Sequence, residues 1–160
     1  MIISNTTPII NFAEIGRMDL LAALFGNLVI PPAVGAGLVA KAGLFPYAAA
    51  VSEWPMISPM DPANKLLVKE LANRVHPGEA ECLALAMEHP GSLLLLDDLA
   101  ARELAASNGL LHVGTLGCLT EAKQCGLITQ LKPLLQDLRH KARFWISEPL
   151  EAKILRDAGE

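Results

Sequence analysis

Short apolar runs alternate with longer helix-like stretches along the chain. The clearest run is "LLLL" at positions 93–96, where no polar residue interrupts the leucines. Such a run is typical of a strand that is buried on both faces, as in parallel sheets. The candidate strands are Ile2–Ser4, Leu28–Ile30, 93–96 and 110–113, with weaker candidates at 56–57 and 144–146.

Helix start and stop signals separate these strands. Thr7 followed by Pro8 is typical of an N-cap and a first helical residue. Asp61 is a candidate cap for the helical pattern that follows it. Gly109 and Gly126 are expected to end two later helices, Gly109 with left-handed backbone. Two further helices are expected near 129–141 and 149–158.

Alternation of strands and helices predicts the fold class. Strands that are apolar throughout indicate a parallel α/β sheet with helices on both faces. In such sheets ligands bind beyond the carboxyl ends of the strands, where the strand order reverses. The length of 160 residues predicts a single domain over 1–160.

Composition bears on the cellular compartment of the protein and on the state of its cysteines. The chain is 52% apolar with a net charge of −4, yet no apolar run is long enough to cross a bilayer. The opening "MIISNTTP" lacks the basic start of a signal peptide, so we expect a cytoplasmic protein without membrane contact. Its three cysteines include no CxxC pair, and we expect them to be small core residues.

Two pairs of acidic residues lie at the ends of predicted elements. Asp98 is a candidate N-cap, Asp97 a candidate turn residue, and Glu79 and Glu81 are favoured in a helix's first turn by its dipole. The alternative is that the fold gathers them in one crevice. Two carboxylates about 4 Å apart repel by about 4 kcal/mol at an effective dielectric near 20. Mg²⁺ or Mn²⁺ would relieve that repulsion and could activate water.

Three stretches resemble proteins of the PIN-domain family. They are "ISNTTPIINFAEIGRMDLLAALFGNLVIPPAV", "HPGEAECLALAMEHPGSLLLLDDLAAREL" and "GLLHVGTLGCLTEAKQCGLI". The chain is most similar to a branch related to VapC-like toxins of toxin–antitoxin pairs. The resemblance implies a three-layer α/β/α sandwich around a parallel sheet of four to five strands. It also implies cleavage of RNA with a metal held by about four acids.

Carried over by position, the acidic set is incomplete. The first family acid corresponds to Asn5, and the second falls where this chain has Gly37. The third matches Glu79, and the fourth matches either Asp97 or Asp98. The resemblance thus implies Mg or Mn bound by Asn5, Glu79, Asp97 and Asp98, with Glu79, Asp97 and Asp98 as catalytic residues.

Candidate nucleic-acid contacts are Thr6, Arg102 and Thr115. Thr6 and Thr115 could contact phosphate at a helix start, although a threonine in the position of Thr115 is more often only a cap. Arg102 follows Asp98 by four residues, so a helix would place the two side chains near each other. The cluster "RHKAR" at 139–143 is typical of a solvated helix end or of a nucleic-acid contact. Trp54 and Trp145 are expected to anchor packing.

Three functions are compatible with the sequence. The first is a metal-dependent endoribonuclease, the toxin of a pair, whose partners would be RNA and an antitoxin protein. The second is a degenerate relative that binds nucleic acid or a partner without cleavage. The third is a purely structural interaction protein. The high apolar fraction also suggests a homo-oligomer, a dimer in the simplest case.

Overall fold

Five parallel strands form one sheet. The computed structural model describes residues 1–49, 51 and 54–160. The strands are β1 (Ile2–Ser4), β2 (Leu28–Ile30), β3 (Ile57–Pro59), β4 (Leu93–Leu95) and β5 (Leu111–Val113). Their order across the sheet is β3-β2-β1-β4-β5, and every neighbouring pair is parallel.

Helices connect the strands and cover the sheet. In chain order they are α1 (Thr6–Glu14), α2 (Met18–Phe25), α3 (Pro32–Ala40), α4 (Pro46–Ala49), α5 (Lys65–Leu71), α6 (Pro77–Glu88), α7 (Leu99–Ser107), α8 (Thr115–Gln124), α9 (Lys132–His140) and α10 (Glu148–Asp157). This confirms the predicted α/β/α sandwich.

The leucine run is buried on both faces of the sheet, as its sequence predicts. Leu94, Leu95 and Leu96 are each 0% exposed. Because successive side chains of a strand point to opposite faces, such burial requires helices on both sides.

The strand order reverses between β1 and β4. Their register pairs Ser4 with Leu95, and the backbone NH of Asn5 donates to the Leu95 carbonyl at 3.1 Å. Asn5 and the Asp97–Asp98 pair therefore leave the sheet at the same carboxyl edge. This is the point at which an open α/β sheet forms its binding crevice.

The prediction of a strand at 144–146 is wrong. The backbone NH of Phe144 donates to the Leu138 carbonyl at 3.0 Å, which folds the segment back onto α9. It therefore connects α9 to α10 and joins no sheet.

Several predicted helix boundaries shift when the caps are observed. Asn5 occupies the N-cap position of α1 without a capping hydrogen bond from its side chain, and the helix begins at Thr6, before Thr7. The cap of α5 is Asn64, whose side chain accepts from the Leu67 NH at 3.0 Å, whereas Asp61 forms an ion pair with Lys65. The left-handed stop at Gly109 is confirmed, with φ +68°.

Two of the three cysteines lie in the core as predicted. Cys82 and Cys118 are buried, but Cys125 is exposed because it follows α8 at the surface. Within the described part of the chain, no helix combines the length and the apolar character that crossing a membrane requires.

Candidate functional site

A cavity of about 570 Å³ opens beyond the carboxyl ends of β1 and β4. We call it the carboxyl-edge cavity, and the side chains that define it are Asn5, Lys41, Glu79 and Asp98, with Gly37 on its wall. Three of the four expected metal ligands thus line one space. They come from three places in the chain: the end of β1, the first turn of α6 and the end of β4.

Asn5 and Glu79 are joined directly. The Asn5 Nδ2 donates to Glu79 Oε1 at 3.1 Å, across 74 positions of sequence. Gly78 makes the approach possible, because a Cβ there would lie 3.1 Å from Asn5 Oδ1. The amide therefore meets the carboxylate as a neutral donor, where a second acid would repel it.

Glu79 is also fixed by its own helix. Its Oε2 accepts from the backbone NH of His76 at 2.8 Å, which is the reciprocal half of a capping box. The helix-start interpretation of Glu79 is thus correct. It is compatible with a functional role, because the cap orients the carboxylate toward the cavity.

Glu81 lies outside the cavity lining and binds α3. Its Oε2 accepts from the backbone NH of Ala33 at 2.8 Å, in the first turn of that helix. This contact holds α6 against α3 at the rim.

Asp98 and Asp97 face different cavities, which the sequence could not decide. Asp98 caps α7 by accepting from the Ala101 NH at 2.9 Å, and it is exposed to the carboxyl-edge cavity. Asp97 lines a separate cavity of about 390 Å³ near β5. Only Asp98 shares the space of Asn5 and Glu79.

Asp97 is tied into a polar network. Its Oδ1 accepts from the Thr115 NH at 2.7 Å, and its Oδ2 accepts from the Thr115 hydroxyl at 2.6 Å and from Asn11 Nδ2 at 3.2 Å. Burial raises the pKa of Asp97 above its usual value, while these hydrogen bonds and the Arg102 charge act in the opposite direction. The network gives Asp97 a structural role between β4, α8 and α1.

The expected nucleic-acid contacts lie in different surroundings. Thr115 is 0% exposed, and its hydroxyl donates to Asp97. Arg102 is exposed and lines the Asp97 cavity. Thr6 lines the carboxyl-edge cavity as expected, although it is only 8% exposed.

Gly37 leaves a gap in the carboxylate set. It lies on the wall of the carboxyl-edge cavity, where a Cβ would come 3.1 Å from the Thr6 hydroxyl. The position thus faces the site, but it supplies no ligand. Within the described residues, no three His, Cys, Asp or Glu side chains lie close enough together to hold a metal ion.

Basic side chains at the cavity rim were missed by sequence reasoning. Lys41, Arg74 and His76 line the cavity, and neither Lys41 nor Arg74 forms an ion pair within the described residues. Lys41 and Arg74 are isolated cations in the sequence, and only the packing of α3 and α5 near α6 brings them together. Asn11 was also missed. The sequence feature that could have revealed it is a single amide among the apolar residues of a helix.

Comparison with known proteins gives one match. A family model described as a PIN domain matches residues 1–160. No curated protein and no solved structure shows a significant match to the chain.

Proposed function

Because the chain belongs to the PIN-domain family, whose fold is of a nuclease type, we propose that it hydrolyses phosphodiester bonds in RNA with Mg²⁺ or Mn²⁺. One observation carries the proposal. Asn5, Glu79 and Asp98 come from three separate elements and line the same cavity at the switch point of the sheet.

The donor set fits a hydrated divalent ion. Mg²⁺ prefers oxygen ligands and keeps several waters, so one or two carboxylates are enough to hold it. Each oxygen of Glu79 accepts one hydrogen bond and keeps a second acceptor position. Glu79 and Asp98 would be the charged ligands, with Asn5 nearby. Since the family resemblance implies four acids, we expect weaker metal affinity than in a complete set.

The chain's own side chains would hold the substrate around that centre. Lys41 and Arg74 carry positive charge at the rim, where the phosphates of a bound strand would be neutralised. His76 and Asn5 keep the Glu79 carboxylate in one orientation. A bound metal would supply an activated water and stabilise the charge on the phosphoryl group.

The biological setting follows from the resemblance alone. We propose the toxin role, with an antitoxin protein as partner, as an extension of RNA cleavage. Self-association is part of the same proposal, and sedimentation would test it by a species larger than the 17.1 kDa chain.

A second candidate is binding of nucleic acid without cleavage. Two observations favour it: Gly37 supplies no carboxylate, and the Asn5 amide already satisfies part of the Glu79 charge. The same cavity would then bind an RNA strand through Lys41 and Arg74 alone.

Two isosteric variants test the first candidate without disturbing the fold. Glu79→Gln keeps a side chain that can complete a capping box, and Asp98→Asn keeps a strong N-cap. We expect each to lower Mn²⁺ affinity at least about tenfold and to reduce RNA cleavage at least as much. Glu103→Gln is the matched control, because Glu103 is exposed on α7 and does not line this cavity.

The measurements are calorimetric titration of Mn²⁺ and cleavage of a labelled RNA, run in parallel. Metal-dependent cleavage that both variants lose would support the nuclease. RNA binding without cleavage, unchanged by Mn²⁺, would favour the second candidate. Absence of both binding and cleavage would contradict the two candidates together.

A further inference from the structure

Trp145 is exposed in a way that packing does not explain. Its exposed fraction is 82%, the highest among the large apolar side chains of the described residues. The sequence interpretation of Trp145 as a packing anchor is therefore wrong. Its neighbour Ile146 is 4% exposed and supplies the anchor.

The backbone around Trp145 is held in place. The Arg139 guanidinium donates to the Ile146 carbonyl at 3.3 Å and to Glu151 at 2.5 Å, which ties α9 to α10 across this segment. Arg143 has φ +56° and is the one non-glycine residue with left-handed backbone in the described part of the chain. A bulky residue in that conformation is disfavoured, and such strain persists where the surroundings fix the backbone.

Trp145 lines two cavities. One is the Asp97 cavity of about 390 Å³, which Arg102 and His112 also line. The other has about 720 Å³ and is lined by Arg143 and Glu148, among others. The exposed indole thus borders open space in both.

Two exposed arginines lie in the cavities that Trp145 lines. Neither Arg102 nor Arg143 forms an ion pair within the described residues. Each cavity also contains one carboxylate, Asp97 with Arg102 and Glu148 with Arg143, and Asp97 already accepts three hydrogen bonds. An exposed aromatic ring with unpaired arginines is the composition of a single-strand stacking platform.

This surface continues the carboxyl-edge cavity. Asp98 lines the carboxyl-edge cavity, and its chain neighbour Asp97 lines the cavity of Trp145. Gly114, at the end of β5, lines that second cavity as well. The carboxyl edge of the sheet therefore carries polar groups from β1, through β4, to the indole beyond β5.

We propose that Trp145, Arg102 and Arg143 bind a single-stranded segment of RNA, with one base stacked on the indole. The proposal rests on the proposed function, because it adds a stacking contact for the RNA strand of that site. Bases in a duplex are already stacked on each other and cannot stack on a side chain.

Binding of a labelled single-stranded oligoribonucleotide, measured without divalent ions so that no strand is cut, tests the proposal. We expect Trp145→Ala to weaken binding at least about fivefold, and Trp145→Phe to keep most of the affinity, because phenylalanine retains a stacking face. Tyr47→Ala is the matched control, since Tyr47 is an exposed aromatic outside both cavities. A duplex of the same sequence should bind more weakly than the single strand and respond little to Trp145→Ala.

A second readout uses the fluorescence of Trp145 itself. The chain has two tryptophans, so Trp54→Phe leaves Trp145 as the only tryptophan, whose emission is selected by exciting beyond the absorption of tyrosine. Quenching by single-stranded RNA would support stacking.

Equal affinity of wild type and Trp145→Ala would overturn the proposal. So would a change from dimer to monomer in Trp145→Ala with RNA binding intact, because the surface would then be a protein interface. The nuclease proposal can fail separately. If the wild-type protein binds RNA without ever cleaving it, and Trp145→Ala weakens that binding, catalysis is contradicted and the stacking site is supported.

Discussion

The side chain at position 5 sets the charge of the carboxyl-edge cavity. As an amide, it donates to Glu79 at 3.1 Å and adds no charge. A carboxylate there would face Glu79 directly, and two unit charges at about 4 Å repel by about 4 kcal/mol at an effective dielectric of 20. An aspartate at position 5 would therefore add a repulsion that a bound cation would relieve.

We expect Asn5→Asp to lower the free energy of unfolding by about 1–3 kcal/mol in EDTA, because a hydrogen bond is lost and a repulsion is gained. Addition of Mn²⁺ should restore the stability, and thermal unfolding with and without the ion measures both effects. Combination with Gly37→Glu should raise Mn²⁺ affinity further, with a small shift of Thr6 to admit the new side chain.

Asn64→Asp is the matched control for that experiment. Asn64 caps α5 outside the carboxyl-edge cavity, and Asp caps a helix as well as Asn does. Its stability should not respond to Mn²⁺. An Asn5→Asp protein that is equally stable with and without the ion would contradict the role assigned to Asn5.

Which residue of the Asp97–Asp98 pair faces the site could not be read from the sequence. Both follow the same strand, and each has a local interpretation, a cap for Asp98 and a turn residue for Asp97, besides that of a metal ligand. Thr115, 18 positions later, donates to Asp97 through its backbone NH and its hydroxyl, and Asp97 does not line the carboxyl-edge cavity. Only the tertiary approach of α8 decides the outcome.

At the scale of elements, the Asp97 network joins three of them. The Thr115 hydroxyl donates to Asp97 and accepts from Asn11 Nδ2 at 2.9 Å, so it lies at the centre of the network. Gly114 leaves room for the Asp97 carboxylate, because a Cβ at position 114 would lie only 2.8 Å from Asp97 Oδ1.

We expect Thr115→Val to lower the free energy of unfolding by about 1–3 kcal/mol, because two buried polar partners lose a hydrogen bond. Thr120→Val on the same helix is the control. The half-buried Thr120 hydroxyl donates to the Leu116 carbonyl of its own helix, and loss of this single hydrogen bond should change stability by only about 0.5–1 kcal/mol. Urea unfolding of the two variants gives the comparison, and equal effects would argue against the network.

Glu160 joins the end of α10 to the start of α9. Its carboxylate accepts from the backbone NH groups of Leu131 and Lys132, at 2.6 and 3.0 Å, and from the Lys123 ammonium at 2.9 Å. These hydrogen bonds lower the pKa of Glu160 to about 2. The folded state therefore favours the ionised form.

The stability that Glu160 contributes should depend on pH. Because its pKa falls from 4.5 to about 2 on folding, the contribution is complete above pH 4.5 and is lost as the pH falls toward 2. Glu160→Gln should remove this part of the pH dependence. Denaturant midpoints between pH 2 and 7 measure it, with Glu103→Gln as a surface control. An unchanged pH profile in Glu160→Gln would refute the assignment.

Over the whole molecule, apolar runs predicted the sheet well because parallel strands are buried on both faces. The run at 93–96 and the segment Ile2–Ser4 became neighbouring central strands. The strand prediction at 144–146 was wrong because this apolar segment lies at the surface and is not buried on both faces. Ile146 packs against the core, whereas Trp145 is exposed.

The candidate site was predicted in part. Asn5, Glu79 and Asp98 could be found because each begins a helix or follows a strand, which places it at one edge of the sheet. Lys41 and Arg74 could not be found, because neither has a local pattern and both reach the cavity through the packing of α3 and α5 near α6.

The network around Asp97 has a consequence for synthesis of the protein. Asn11 and Thr115 are 104 positions apart, and Asp97 bonds to both. A nascent chain that has been translated only through α7 already contains Asn5, Glu79 and Asp98, but Asp97 still lacks its Thr115 partner. The Asp97 network can therefore form only after α8 has left the ribosome and docked.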